Sequence, residues 1–517
     1  MRAVWWRAGP AGAGVLAALA AGQAAADTLP TVPDPIPTVE MRWRLTDETY
    51  DLPAGERMGM TALSLLVDAG SSWRLGPSVY AATRGERGGF ITLGVAGEWH
   101  TSLSRSWDAH AGLFVGGGGG RGGYQLAGGG LMLRGDLGLS YAMGEWGRIG
   151  FGVSHVDFPS GTVTSTQPYV LLERRFDSLS VPGWVSLTGG GGSAQPAVRA
   201  GAQEFSVVLR RYDIPDSVVQ DNGAPQHGSM QLAGAEWLAY LDDPRWFVKV
   251  EAAGASGGES DGYMQVLAGG GWRWQPWRGG AFKVFGVAGG AGGGRVDTGG
   301  GFLVEAGASW QQALTRDLAL ELAVGEVRAP SASFRARSLA LKITHPFGLP
   351  QVGADPVPAS DLSGYEPRHL RVRVANQTYV DPAPGWRRNF PDETVNNLGV
   401  QLDYFASRHW FLSGQGLAAY TGKAGSYMVG LVGGGVRADV AGPVFAEAEL
   451  LAGAAGGGGL NVGGGAVVQG NLSLGWQLSR SVSLMASVGH LEAPGGELRT
   501  QVAGLALGYS FSTFSPR

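Results

Sequence analysis

Charged residues spaced two apart are the first feature of this 517-residue chain with chemistry in them. Arg42 and Arg44, Lys249 and Glu251, Arg371 and Arg373, and Glu447 and Glu449 are such doublets, and Lys283 and Glu305 lie on neighbouring segments. On a β-strand, alternate residues share a face, so each doublet lines one surface. Facing a water-filled lumen, these charges would tune what passes. Facing a closed interior, they would pair with one another: Arg371 and Arg373 with Glu447 and Glu449, and Lys249 and Glu251 with Lys283 and Glu305. Both readings stay open at this point.

Other constellations promise less. His155 has Ser154 and Asp157 beside it, which invites comparison with outer-membrane barrels that modify lipids with a Ser/His/acid site. Alternation puts His155 and Ser154 on opposite faces of a strand, and the corresponding position of the next copy is Glu326. The chain has 8 His and no Cys, and no pair of His has a ligand-like spacing, so neither a metal nor a thiolate centre is expected. Gly-rich runs at 116–123, 289–294 and 456–459 contain dinucleotide-type patterns, but no helix-period segment with a following acid accompanies them. The WRWQPW run at 272–277 could stack on sugar rings, but it fits a turn at a membrane interface better. The residues therefore point to no enzyme, no cofactor and, at net charge −4, no nucleic-acid partner.

The elements that carry these residues are repeated. HVDFP at 155–159, EVRAP at 326–330 and HLEAP at 490–494 stand 171 and then 164 residues apart. The segments ending at Phe176, Phe347 and Phe511 keep the same offsets, and ITLGVAGEWH at 91–100, MQVLAGGGWR at 264–273 and MVGLVGGGVR at 428–437 nearly do. Each copy contains about eight strand-like segments. Leu472, Leu474 and Trp476 oppose Asn471, Ser473 and Gly475; Leu505, Leu507, Tyr509 and Phe511 oppose Gly504, Ala506, Gly508 and Ser510. Alternating segments of about ten residues divided by turn residues predict an antiparallel transmembrane β-barrel. A soluble sandwich also alternates, but here the polar face is Gly, Ala and Ser with few charges. Trp99, Trp107, Trp246, Trp272, Trp274, Trp310, Trp410 and Trp476 sit at strand ends, where membrane girdles place them.

Composition agrees with that class. Charged residues are 16%, apolar residues 44%, and Gly accounts for 89 positions. The first 26 residues read as a cleavable signal peptide: Arg2 and Arg7, a short apolar core at 12–21, then an A-x-A site. The expected layout is signal peptide 1–26, Pro-rich linker 27–40, repeat one 41–178, linker 179–203, repeat two 204–347, Pro-rich linker 348–368 and repeat three 369–517. The repeats can close as three small barrels or join into one barrel of about 24 strands. Linkers between copies favour the former. Glycines within the strands, such as 433–435, 269–271 and 128–130, favour a smooth wide lumen or tight curvature.

The terminal strand, with Tyr509-x-Phe511 and Phe514, resembles the closing strand of Gram-negative outer-membrane barrels. That resemblance implies the bacterial outer membrane, its lipid and the barrel-assembly machinery as partners. The three-copy layout is similar to multi-lobed barrels linked to exopolysaccharide secretion. It implies a non-enzymatic role in transport or export of a polymer, through the protein or beside it. A structural or adhesive protein with plugged barrels is the alternative.

Overall fold

The structure is a computed structural model. It describes residues 29–516, apart from 32, 34, 35, 187–193, 227, 242 and 359–364. The expected signal peptide lies outside the described residues.

Three closed eight-stranded antiparallel barrels follow one another along the chain. The first contains β1 (Thr38–Asp51), β2 (Arg57–Asp68), β3 (Trp73–Arg84), β4 (Ile91–Ser102), β5 (Trp107–Gly119), β6 (Met132–Ala142), β7 (Arg148–Asp157) and β8 (Thr164–Leu179). A two-residue strand, β9 (Val181–Pro182), follows. The second barrel contains β10 (Ala194–Asp213), β11 (Ser229–Tyr240), β12 (Trp246–Gly257), β13 (Met264–Trp277), β14 (Gly280–Gly292), β15 (Phe302–Ala313), β16 (Ala319–Arg328) and β17 (Arg335–Pro358). The third contains β18 (Tyr365–Val380), β19 (Asn396–Phe405), β20 (Trp410–Ala419), β21 (Met428–Ala441), β22 (Val444–Gly456), β23 (Ala466–Gln477), β24 (Val482–Glu492) and β25 (Arg499–Pro516). A short helix, α1 (Gly123–Ala127), lies in the loop after β5.

Each barrel closes on itself: β1 on β8, β10 on β17, and β18 on β25. A continuous 24-stranded wall is therefore not formed. The first two barrels share one rung, Gln351 opposite Ser178. Closure leaves no wall edge unpaired, which hydrocarbon demands. Because each ring is complete, residues 365–516 expressed behind a signal peptide should fold as a compact, heat-modifiable, β-rich species. A fragment that only aggregates would show that the neighbours are needed for closure.

The stretches expected as linkers carry strand. β10 begins at Ala194 and β17 runs to Pro358 because their extensions pair with each other beyond the wall. β9 pairs with β25, so the connection leaving the first barrel docks on the third. Trp184, just after it, stacks on His369 at 5.5 Å.

With eight strands per ring, both ends of every barrel's chain lie at one end, here called proximal. The turns there are short, whereas several distal loops are long, such as 120–131, 214–228 and 381–395. The girdle tryptophans lie at the proximal end. The outward faces between are apolar and exposed, including Leu472, Leu474, Leu505 and Leu507. This is the wall of an outer-membrane-type barrel.

Candidate functional site

Inward-facing positions of the strands meet across each ring, and all the charged doublets are there. In the third barrel, Arg371 Nη1 and Nη2 donate to Glu447 at 2.7 and 2.8 Å, and Arg371 Nε donates to Asp403 at 2.8 Å. Arg373 reaches the other Asp403 oxygen at 2.7 Å and also Glu449. Arg371 is fully buried.

The second barrel pairs differently from the sequence expectation. Lys249 binds Glu236 at 2.6 Å and lies 3.6 Å from Glu251. Lys283 does not meet Glu305. It binds Glu204 at 2.6 Å and Glu321 at 2.7 Å, whereas Glu305 pairs with Arg210. Arg210 also holds Glu251 at 2.7 Å, and Lys342 bridges Glu236 and Glu321 at 2.9 Å each. The reason is geometric. Tilted strands bring together side chains from different heights of the ring, so neighbours in sequence order are not neighbours in the lumen.

In the first barrel, Arg42 pairs with Glu40 and lies 3.4 Å from Glu173. Arg44 pairs with Glu98 and Glu173, Arg74 binds Glu98 at 2.7 Å, and Arg134 binds Glu48 at 2.9 Å. Glu48, Glu98, Glu173, Glu204, Arg210, Glu236, Glu321, Lys342 and Asp403 are single inward charges rather than doublets, whereas Arg134 and Asp136 form a further inward doublet. Spacing alone does not single out the former, although each occupies an inward phase of its strand.

Above these networks, the distal end of each lumen is filled by apolar side chains. Tyr50, Phe90, Phe114 and Phe158 pack in the first barrel, Tyr212, Tyr263 and Phe334 in the second, and Tyr379, Trp386 and Tyr427 in the third. At the proximal end, Tyr240, Phe247 and Phe285 cluster in the second barrel. Phe405 and Phe411 do so in the third, with the Arg437 guanidinium 3.7 Å over Phe445. The first barrel has Asp68, Arg74, Asp108 and Arg148 there instead. The first and third interiors leave cavities of about 20 Å³ each, room for about one water.

Of the glycines expected to smooth a lumen or sharpen its curvature, 269–271 and 433–435 meet only their own rings, whereas Gly129 and Gly130 abut the third barrel; other glycines make the packing between barrels. β3 packs on β14, β12 on β22, and β20 on β5. In each case the third strand of one ring meets the fifth of another. Two sets of equivalent small residues make these contacts. A methyl group on Gly290 would lie 2.3 Å from Ala81 Cβ; on Gly254, 3.2 Å from Ala454 Cβ; on Gly117, 2.7 Å from Ala418 O. Ala81, Gly254 and Ala418 are one set, and Gly117, Gly290 and Ala454 are the other. The three barrels thus form a closed head-to-tail ring with pseudo-threefold symmetry. Small residues permit this approach of walls, as they do between membrane helices. On the axis, Ile91 and Met428 are buried in one cluster with Met264 against it, and these three begin the fourth strands of their rings.

His155 faces outward and contacts Thr166 Oγ1 at 2.7 Å. Ser154 faces inward and donates to Glu48 at 2.6 Å. They do not cooperate. Among the described residues, no group of three His, Cys, Asp or Glu is placed to hold a metal ion. Trp274 and Trp277 of the WRWQPW run flank Phe282, each at 5.9 Å, on the exposed proximal rim.

No protein-family model matches the chain, and no curated protein matches it. Among solved structures, an enterobactin-bound mutant of the ferric enterobactin receptor from Pseudomonas aeruginosa aligns over 91% of this chain and 81% of its own, with 10% identity and a TM-score of 0.27. The siderophore receptor PiuA from Acinetobacter baumannii aligns over the same shares with 10% identity and a TM-score of 0.28. The superposition is too loose to carry a functional argument.

Proposed function

We propose that this chain is a non-enzymatic structural protein of the bacterial outer membrane, built as three plugged barrels that do not conduct. One observation carries the reading: every lumen is filled, by an ion-pair network in the middle and by aromatic side chains distally. Short proximal turns and long distal loops support an orientation with the chain termini in the periplasm and the loops outside. Insertion would then use the barrel-assembly machinery. A role in polymer export takes the form of a scaffold beside the route, because a polysaccharide chain needs a path far wider than room for one water.

Planar-bilayer recording from the purified full chain tests this. Silence, or brief small openings, is the expected result at neutral pH. A stable large conductance would sink the plugged reading in favour of a pore.

A further inference from the structure

The last hairpin of each barrel supplies an internal comparison. Its distal outward pair consists of the final residue of the seventh strand and the first of the eighth. In the first barrel, Asp157 opposes Thr164, whose hydroxyl donates to the carboxylate at 2.9 Å. In the third, Glu492 opposes Arg499, and the two form a 2.6 Å ion pair. In the second, Arg328 opposes Arg335. Like charges placed directly across a strand pair destabilise it. At the same position, two barrels carry a matched pair and one carries two guanidinium groups.

The surroundings do not neutralise them. Arg337, two residues along β17, opposes Glu326 on β16 and Asp213 on β10 without an ion pair to either. Asp213 is held by Arg211 at 2.7 Å. Arg335 donates to Ser217 Oγ at 3.0 Å, and neither Arg328 nor Arg335 pairs with a carboxylate among the described residues. Arg328, Arg335, Arg337 and Glu326 together carry a formal charge of +2. Directly below, the outward face turns apolar: Leu339, Leu341 and Ile343 on β17, Val324 on β16 and Leu209 on β10 are all exposed.

We propose that this outer wall of the second barrel binds a phosphorylated lipid. Its phosphate bridges Arg328 and Arg335, and its acyl chains lie along Leu339, Leu341 and Ile343. Guanidinium groups match phosphate oxygens in a planar, two-bond geometry, and a bridging anion turns the repulsive pair into an attractive triad. The apolar strip beneath makes the occupant a lipid rather than a free anion. The inference rests on the membrane-facing reading of the wall.

The test uses the full chain in dodecyl maltoside, titrated with diphosphoryl lipid A and read by native mass spectrometry. Arg328→Gln with Arg335→Gln should weaken binding at least tenfold. Glu492→Gln with Arg499→Gln, at the matched site of the third barrel, should leave it unchanged. If the first pair of substitutions loses the heat-modifiable form, Arg335→Gln alone is held to the same threshold. Equal affinity of variant and parent overturns the site. Binding of dioleoylglycerol, which has no phosphate, as tight as that of lipid A overturns the role of the phosphate headgroup, and inorganic phosphate binding as tightly overturns the role of the lipid. A chain that enters neither micelles nor vesicles refutes the membrane reading instead, so the two failures are distinguishable.

Discussion

Replacing Glu447 and Glu449 together with Ala should lower the stability of the third barrel by about 3–5 kcal/mol, the usual cost of stripping a partner from a buried pair. Arg371 loses both bonds of its bidentate contact and Arg373 loses one of its two carboxylates. Asp403 remains, but it must then serve two guanidinium groups alone, where it and Arg371 are fully buried. In a wide aqueous lumen, the same change would cost about 0–1 kcal/mol. The temperature at which the folded electrophoretic form is lost measures the difference. An unchanged transition would mean that the lumen is wet.

Enlarging the junction residues should separate the barrels without unfolding them. Valine at Gly117, Gly290 and Ala454 drives side chains into neighbouring walls, where a single added methyl group at Gly117 or Gly290 already lies within 2.7 Å of the facing atoms. Overpacking of this kind costs about 1–3 kcal/mol per site, and all three sites fall on junctions. The chain has no cysteine, so Ile91→Cys with Met428→Cys gives a clean cross-linking reporter of the axis. Cross-linking should be efficient in the parent background and weak in the valine background, with heat-modifiability retained in both. Equal cross-linking would show that the rings are not held together by these contacts.

The strands and their inward phase were legible because a membrane barrel reads out at period two. Arg371, Arg373, Glu447 and Glu449 follow from that phase alone. The partners of Lys283 and Glu305 do not, since strand tilt and shear choose them and neither is written in local spacing. The start of β10 and the end of β17 have the Pro and Gly content of linkers, yet the two stretches pair with each other. The largest gap concerns glycine. A signal was present: 81, 254 and 418, and again 117, 290 and 454, are Gly or Ala in corresponding phase. Only a docked neighbour distinguishes a glycine kept small for curvature from one kept small for contact.

The closed head-to-tail ring has a genetic consequence. A ring of three identical chains repeats every substitution three times, so its three outer walls must all be alike. Here each lobe is encoded separately, and the lobes have drifted apart. Arg74 holds the place that Phe247 and Phe411 take in the other lobes, and Arg328 stands where the others have Asp157 and Glu492. Fusion lets a trimer-like body acquire a front and a back, one codon at a time.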